Sequence, residues 1–184
     1  VEAAKRAHTA PALIDRLRLD EDRVADMAAG IRAVAALPDP VGVVDGGRRL
    51  ANGLDIVRRR VPLGVIAVIY EGRPNVTADA VALSLKSGNA IVLRGSHLAK
   101  RSNLIIAEVL TGALIEADAP RWAVALLGSD REELRQLIQM EGAIDLVIPR
   151  GGESLKEFLK EHARVPVIYA ASGNNHVYVH ADAD

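Results

Sequence analysis

At 184 residues, 49% of them apolar and only 3% aromatic, the chain has material for one ordinary domain with an aliphatic core. A formal net charge of −1, with Lys and Arg spread along the chain, leaves no electrostatic footprint for nucleic acid, and one Phe and one Trp offer few stacking platforms for a single strand. The absence of cysteine excludes disulfides, thiolate metal sites and a thiol nucleophile, and it fits a cytoplasmic origin.

The opening stretch "APALIDRLRLDEDRVADMAAGIRAVAALPDP" predicts two helices. Apolar residues recur at three and four in Val24, Met27, Ala28, Ile31, Val34 and Ala35; Asp20 is placed to cap the second helix, and Pro38 and Pro40 end it. The following "GGRRLANGLDIVRRRVPLGVIAVIY" alternates between glycines and predicts extended strands. A regular rhythm then begins. Strand "GVIAVIY" precedes helix "VTADAVALSLKSG", and strand "AIVLR" precedes helix "LAKRSNLIIAEVLTGALIEA". Strand "WAVALL" precedes helix "REELRQLIQM", strand "IDLVIP" precedes helix "ESLKEFLKEHA", and strand "VPVIYA" follows. Short continuous apolar strands alternating with amphipathic helices predict an α/β fold, a doubly wound, mostly parallel sheet covered on both faces. Such sheets bind ligands beyond the carboxyl ends of their strands. No apolar run approaches the roughly 18 residues of a membrane span. Val1 at the start and "ADAD" at the end read as cuts from a longer chain.

Three strand ends carry chemistry. At "YEGRPNVT", Pro74 biases Arg73 away from helix, and Asn75 and Thr77 can cap the helix that follows. Asn75 has a second reading, in which its amide points into a cleft as a donor to a developing oxyanion. At "LRGSHLAK", Arg94, Gly95 and Ser96 combine a fork of donors, a permissive backbone and a hydroxyl at a helix start, which suits a phosphate or ribose or, equally, a solvated turn. At "IPRGGESLKE", Gly151 and Gly152 allow close approach of a ligand to a helix amino end, with Arg150 beside it. Neither glycine-containing end matches the dinucleotide fingerprint or the Walker loop. The five histidines show no metal-ligand spacing, so no metal site is expected.

Together, "VPLGVIAVIYEGRPNVTADAVALSLKSGNAIVLRGS", "IDLVIPRGG" and "VPVIYAASGNNHVYVHADAD" resemble the gamma-glutamyl phosphate reductase family, also called glutamate-5-semialdehyde dehydrogenases, within the aldehyde dehydrogenase superfamily. The resemblance runs from about "APALIDRL" to the last residue. It implies a partial helical segment over 1–42, an NADP-binding α/β domain over 43–174, and the start of a catalytic domain at 175–184. It implies that Asn75 contributes to the oxyanion hole. Arg94, Gly95 and Ser96 would meet the adenosine ribose, with the arginine suited to the 2′-phosphate of NADP. Arg150, Gly151 and Gly152 would line the loop near the pyrophosphate and nicotinamide.

The reaction implied is a step of proline biosynthesis. A cysteine thiolate attacks gamma-glutamyl phosphate and expels phosphate, and NADPH reduces the resulting thioester to glutamate semialdehyde. A homodimer is expected by resemblance alone. The chain departs from the family at one point: in "GNNHVYV", Asn175 stands where the family has its cysteine, next to His176. An amide is not a nucleophile at neutral pH, so this sequence is expected to be inactive as it stands. It is either the cofactor-binding part of such a reductase or a non-catalytic binding or regulatory relative with the same fold.

Overall fold

The structure is a computed structural model and describes residues 11–169 together with 178 and 180. The predicted pair of helices is present as α1 (Pro11–Leu17) and α2 (Glu21–Ala36). Asp20 caps α2 by accepting from Arg23 N at 3.1 Å, as its position in the sequence requires. That hydrogen bond, with help from the Arg18 and Arg23 charges, holds its carboxyl below the usual carboxylate range.

The glycine-punctuated stretch forms an antiparallel ribbon of β1 (Val44–Arg49) and β2 (Asp55–Arg59). Nearly every residue in it is exposed, because neither face packs on another layer. Asp45 bridges Arg58 at 2.7 Å and Arg60 at 3.0 Å along it.

Four parallel strands form the main sheet: β3 (Val65–Tyr70), β4 (Ala90–Arg94), β5 (Val124–Leu126) and β6 (Leu146–Arg150), in the order β5-β4-β3-β6. Side chains of β3 alternate between two cores, as the pleat demands. Ile66, Val68 and Tyr70 join Ile91, Leu93 and Val124 under Val81 of α3 (Asn75–Lys86) and Leu110 and Leu114 of α4 (Lys100–Glu116). Ala67 and Ile69 join Val147 under Leu134 and Leu137 of α5 (Arg131–Leu137) and Phe158 and Leu159 of α6 (Glu153–His162). Burying each such aliphatic side chain contributes about 1.5–3 kcal/mol. Both faces are covered, and the sheet is doubly wound as the alternating pattern implies.

The amino ends of the strands are pinned by side chains. Asn89 Oδ1 accepts from Leu63 N at 2.6 Å and Gly64 N at 2.9 Å, and Asp145 Oδ2 accepts from Val65 N at 2.7 Å. Gly64 has φ +119°, and a Cβ there would overlap the Asp145 carboxylate, so this corner requires glycine.

One predicted strand is largely missing among the described residues. Among those residues, "VPVIYA" meets β6 only through a bridge of Val167 to Val147, with Val147 N donating to Pro166 O at 2.9 Å and Ile168 N to Val147 O at 3.0 Å. Pro166 has no N–H to extend a ladder. The helix predicted over 98–117 opens with a 3₁₀ turn at His97–Ala99 before α4 starts.

Candidate functional site

The strand order places a reversal between β3 and β6. From β3 the chain moves outward to β4 and β5, then returns to the other side of β3. Open α/β sheets part their crossover connections at such a point and leave a crevice beyond the carboxyl ends. The register aligns the three predicted strand ends at this edge, with Ile69 opposite Arg94 and Tyr70 opposite Arg150. Two contacts tie the loops together: Glu71 N donates to Arg150 O at 3.4 Å, and Gly72 N to Ser96 Oγ at 3.3 Å. The helices α3 and α6 begin at the crevice from opposite faces of the sheet.

Asn75 does not cap α3. Pro74 occupies the cap position without a side-chain bond, and Asn75 is the first helical residue. Its Nδ2 donates to Asp79 Oδ2 at 3.2 Å, one turn on. That bond uses one of two amide N–H groups and orients the other. The exposed amide faces a cleft of about 470 Å³ between α1, α2 and the start of α3.

Thr77 is also no cap; it is buried in a polar chain beneath the crevice. Tyr70 Oη lies 2.7 Å from Thr77 Oγ1, which donates to Asn103 Oδ1 at 3.2 Å. The amide oxygen of Asn103 can only accept, so Thr77 gives it its one proton and takes one from Tyr70. Burial pushes the Tyr70 phenol up, which keeps that proton in place.

The glycines of the site do different work. A Cβ at Gly95 would overlap Asn103 Nδ2 and come within 3.3 Å of the Tyr70 ring, so this glycine serves packing against the buried amide. A Cβ at Gly151 would lie 2.8 Å from Leu155 Cδ2 and 2.9 Å from Glu71 Oε1. Gly152 alone opens on empty space, with nothing within 4 Å of the Cβ position at the cap of α6. Arg150 ends β6 with its side chain exposed.

Arg94 is half-buried, and its Nη2 donates to Ser129 O at 2.7 Å in the loop before α5. Its Nε is buried without a partner. Burial pulls its pKa down, while Asp130, Glu133 and Glu71 pull it back up. The sequence reading missed this surrounding: the Ser129 carbonyl, a backbone atom 35 residues away, carries no signal in residue type. It also missed Glu71 and Asn103, the first because an acid at a strand end reads as solvated, the second because a mid-helix Asn reads as a surface residue. Asn175 and His176 lie outside the described residues.

The aldehyde dehydrogenase family profile matches residues 17–184. The chain is 50% identical over its whole length to gamma-glutamyl phosphate reductase of Syntrophomonas wolfei, of which it covers 44%. It is 51% identical to that of Xanthomonas axonopodis pv. citri, covering 45%. The chain thus spans less than half the length of these curated relatives. Among solved structures, gamma-glutamyl phosphate reductase from Thermotoga maritima superposes with a TM-score of 0.88 at 40% identity, over 94% of this chain and 42% of that one. An NADP-dependent glyceraldehyde-3-phosphate dehydrogenase from Bacillus halodurans, complexed with NADP, superposes with a TM-score of 0.63 at 27% identity, over 78% of this chain and 31% of that one.

Proposed function

Because this chain belongs to the aldehyde dehydrogenase family, we propose that its crevice is the cofactor half of a gamma-glutamyl phosphate reductase site, taking NADP(H) for the reduction of L-glutamyl 5-phosphate in proline biosynthesis. The observation that carries this reading is the reversal between β3 and β6, with the predicted strand ends gathered around it and Gly152 open at the start of α6. A dinucleotide fits these residues. The open cap of α6 accommodates close approach of a phosphate, and at the next strand end Arg94 keeps one unpartnered donor, Nε, while its Nη2 donates to Ser129 O. Bound there, a reduced nicotinamide supplies the hydride. Asn75 donates its second amide N–H toward the oxygen of the reacting carbonyl, and Asp79 keeps that amide oriented. On this reading Asn175 stands where the family's nucleophile is expected, and because a carboxamide forms no acyl bond, residues 1–184 by themselves are expected to bind the cofactor without turnover.

Calorimetric titration of the 184-residue chain with NADP and NAD tests the cofactor reading. NADP should bind more tightly, and Arg94→Ala should reduce the difference by about tenfold, the low end for a charge-assisted contact because Nη2 is already committed to Ser129 O. The carboxylates of Asp130, Glu133 and Glu71 work in the same direction, since they repel a 2′-phosphate. Equal affinities for the two cofactors, unchanged by the substitution, would sink the role of Arg94. Gly152→Val should abolish binding in a chain whose circular dichroism is unaltered, because a branched side chain fills the approach to α6. Undiminished binding by that variant moves the cofactor elsewhere.

A further inference from the structure

Under the loop that follows β4, one buried polar group has no protein partner. Asn103, near the start of α4, is 1% exposed. Its Oδ1 accepts from Thr77 Oγ1, which ends the chain begun by Tyr70. Its Nδ2 is buried and donates to no protein group among the described residues. Such orphaned donors are rare in folded proteins, because an unmade hydrogen bond is costly in a dry interior. The amide borders a small cavity lined also by Gly95, Ser96, Lys100, Leu126 and Ser129. Any side chain at Gly95 would overlap Nδ2, so the glycine leaves the amide its place there. The room for the centre of a water molecule is about 20 Å³, and one water needs roughly 10–15 Å³. Further polar groups are at hand. Ser96 Oγ accepts from Gly72 N at 3.3 Å, and its own proton has no acceptor among the described residues. Ser129 is held by the 2.7 Å bond from Arg94 Nη2 to its carbonyl, which leaves its hydroxyl uncommitted.

We propose that this cavity binds one ordered water, which accepts from Asn103 Nδ2 and bonds Ser96, and that Asn103 thereby positions the loop carrying Arg94, Gly95 and Ser96. The water closes a hydrogen-bonded circuit. Tyr70 and Gly72 stand two residues apart at the end of β3. Tyr70 reaches Asn103 through Thr77, and Gly72 reaches Ser96 directly. Only the step from Asn103 to Ser96 lacks a protein–protein bond, and both residues line the cavity. A water can accept the amide proton and the Ser96 proton and still donate to Ser129, which gives it the three bonds typical of buried waters. Thr77 belongs to the first turn of α3, so the circuit also ties the loop to the helix that begins with Asn75. An effect on cofactor binding rests on the function proposed above; the water and the loop do not.

The direct test is magnetic resonance of the 184-residue chain, with the Asn103 side-chain amide assigned through the α4 backbone. Its protons should give a cross-peak to water with the rotating-frame sign of a direct contact, and a missing cross-peak, or one with the sign of proton exchange, overturns the proposal. Asn103→Leu keeps nearly the same shape and makes neither hydrogen bond. In it the Gly72 amide should exchange with solvent about tenfold faster, beyond any change at the centres of β3 and β4. Equal factors throughout mark loss of stability alone and overturn the positioning role. Asn103→Asp, which keeps polar atoms toward both Thr77 and the water, should recover part of the Gly72 protection. NADP titration is a separate arm, in which Asn103→Leu should weaken binding about threefold to tenfold. A parent chain that shows the water contact and the Gly72 response but binds no NADP upholds the water and refutes the cofactor reading. One that binds NADP without the water contact does the reverse.

Discussion

If Asn175 stands at the nucleophile's position, as proposed, an Asn175→Cys chain extended to the length of its relatives should reduce NADP with glutamate semialdehyde in a phosphate-dependent reaction, while the same extended chain with Asn175 should not. A carboxamide nitrogen has its lone pair delocalised into the carbonyl and does not attack an acyl carbon at neutral pH. A thiol is a few per cent thiolate at pH 7 and strongly nucleophilic, so on the proposed assignment this one substitution supplies the bond-forming atom. Within the restored enzyme, Asn75→Ala should then lower kcat by about 100-fold or more, as loss of one oxyanion donor does. Asp79→Ala should cost less, since it frees the Asn75 amide to rotate without removing it. Absorbance of the nicotinamide follows all three variants. Turnover by the unsubstituted sequence would overturn the assignment of Asn175. An extended Cys variant that binds NADP but stays inert would instead identify a non-catalytic relative.

Gly64→Ala should destabilise the fold by about 2–4 kcal/mol, a fall in Tm of roughly 5–15 °C for a chain of this size. Two costs add at this corner. A φ of +119° lies outside the region L side chains adopt readily, which costs on the order of 1–3 kcal/mol. The new methyl would also push aside the Asp145 carboxylate and break its 2.7 Å bond to Val65 N, worth about 1 kcal/mol or more. Asp145→Ala alone should cost only the second part. The double variant should therefore be less destabilised than the sum of the single ones, because both remove the same hydrogen bond. Thermal unfolding measured for all four chains decides it, and a Gly64→Ala Tm within about a degree of the parent would show that the corner relaxes freely.

What could be read from the sequence divides along physical lines. "AIVLR" appears at the predicted residues because a short apolar run between a glycine-containing turn and a polar loop has few alternatives. The Asp20 cap was legible for the same reason, as capping is settled within three residues. Asn75 illustrates the limit. An Asn two places before Thr77 and just after Pro74 fits a cap equally well, and only the helix start at Asn75 decides otherwise. Gly95 is a second case: its composition reads as freedom for a ligand, but the atom it makes room for is the Asn103 amide on another element. The strand order that creates the crevice has no local signature, since β6 joins β3 through contacts far apart in the chain.

That separation has a consequence for how the crevice comes into being. The corner joining Gly64 to Asn89 spans 25 residues, whereas the one joining Val65 to Asp145 spans 80. By loop-closure entropy the longer connection costs only about 1 kcal/mol more, so it is no great burden on the finished fold. It does set an order in time, because contacts close in sequence form sooner than distant ones. β3, α3 and β4 can associate while the chain is still emerging from the ribosome, and that early unit already displays Asn75 and Arg94. The side bearing Arg150 and Gly152 arrives only after β6 has been made and has found the exposed edge of β3. Until then that edge offers its unpaired N–H and C=O groups to any passing strand, and the nascent chain is most exposed to mispairing during this interval.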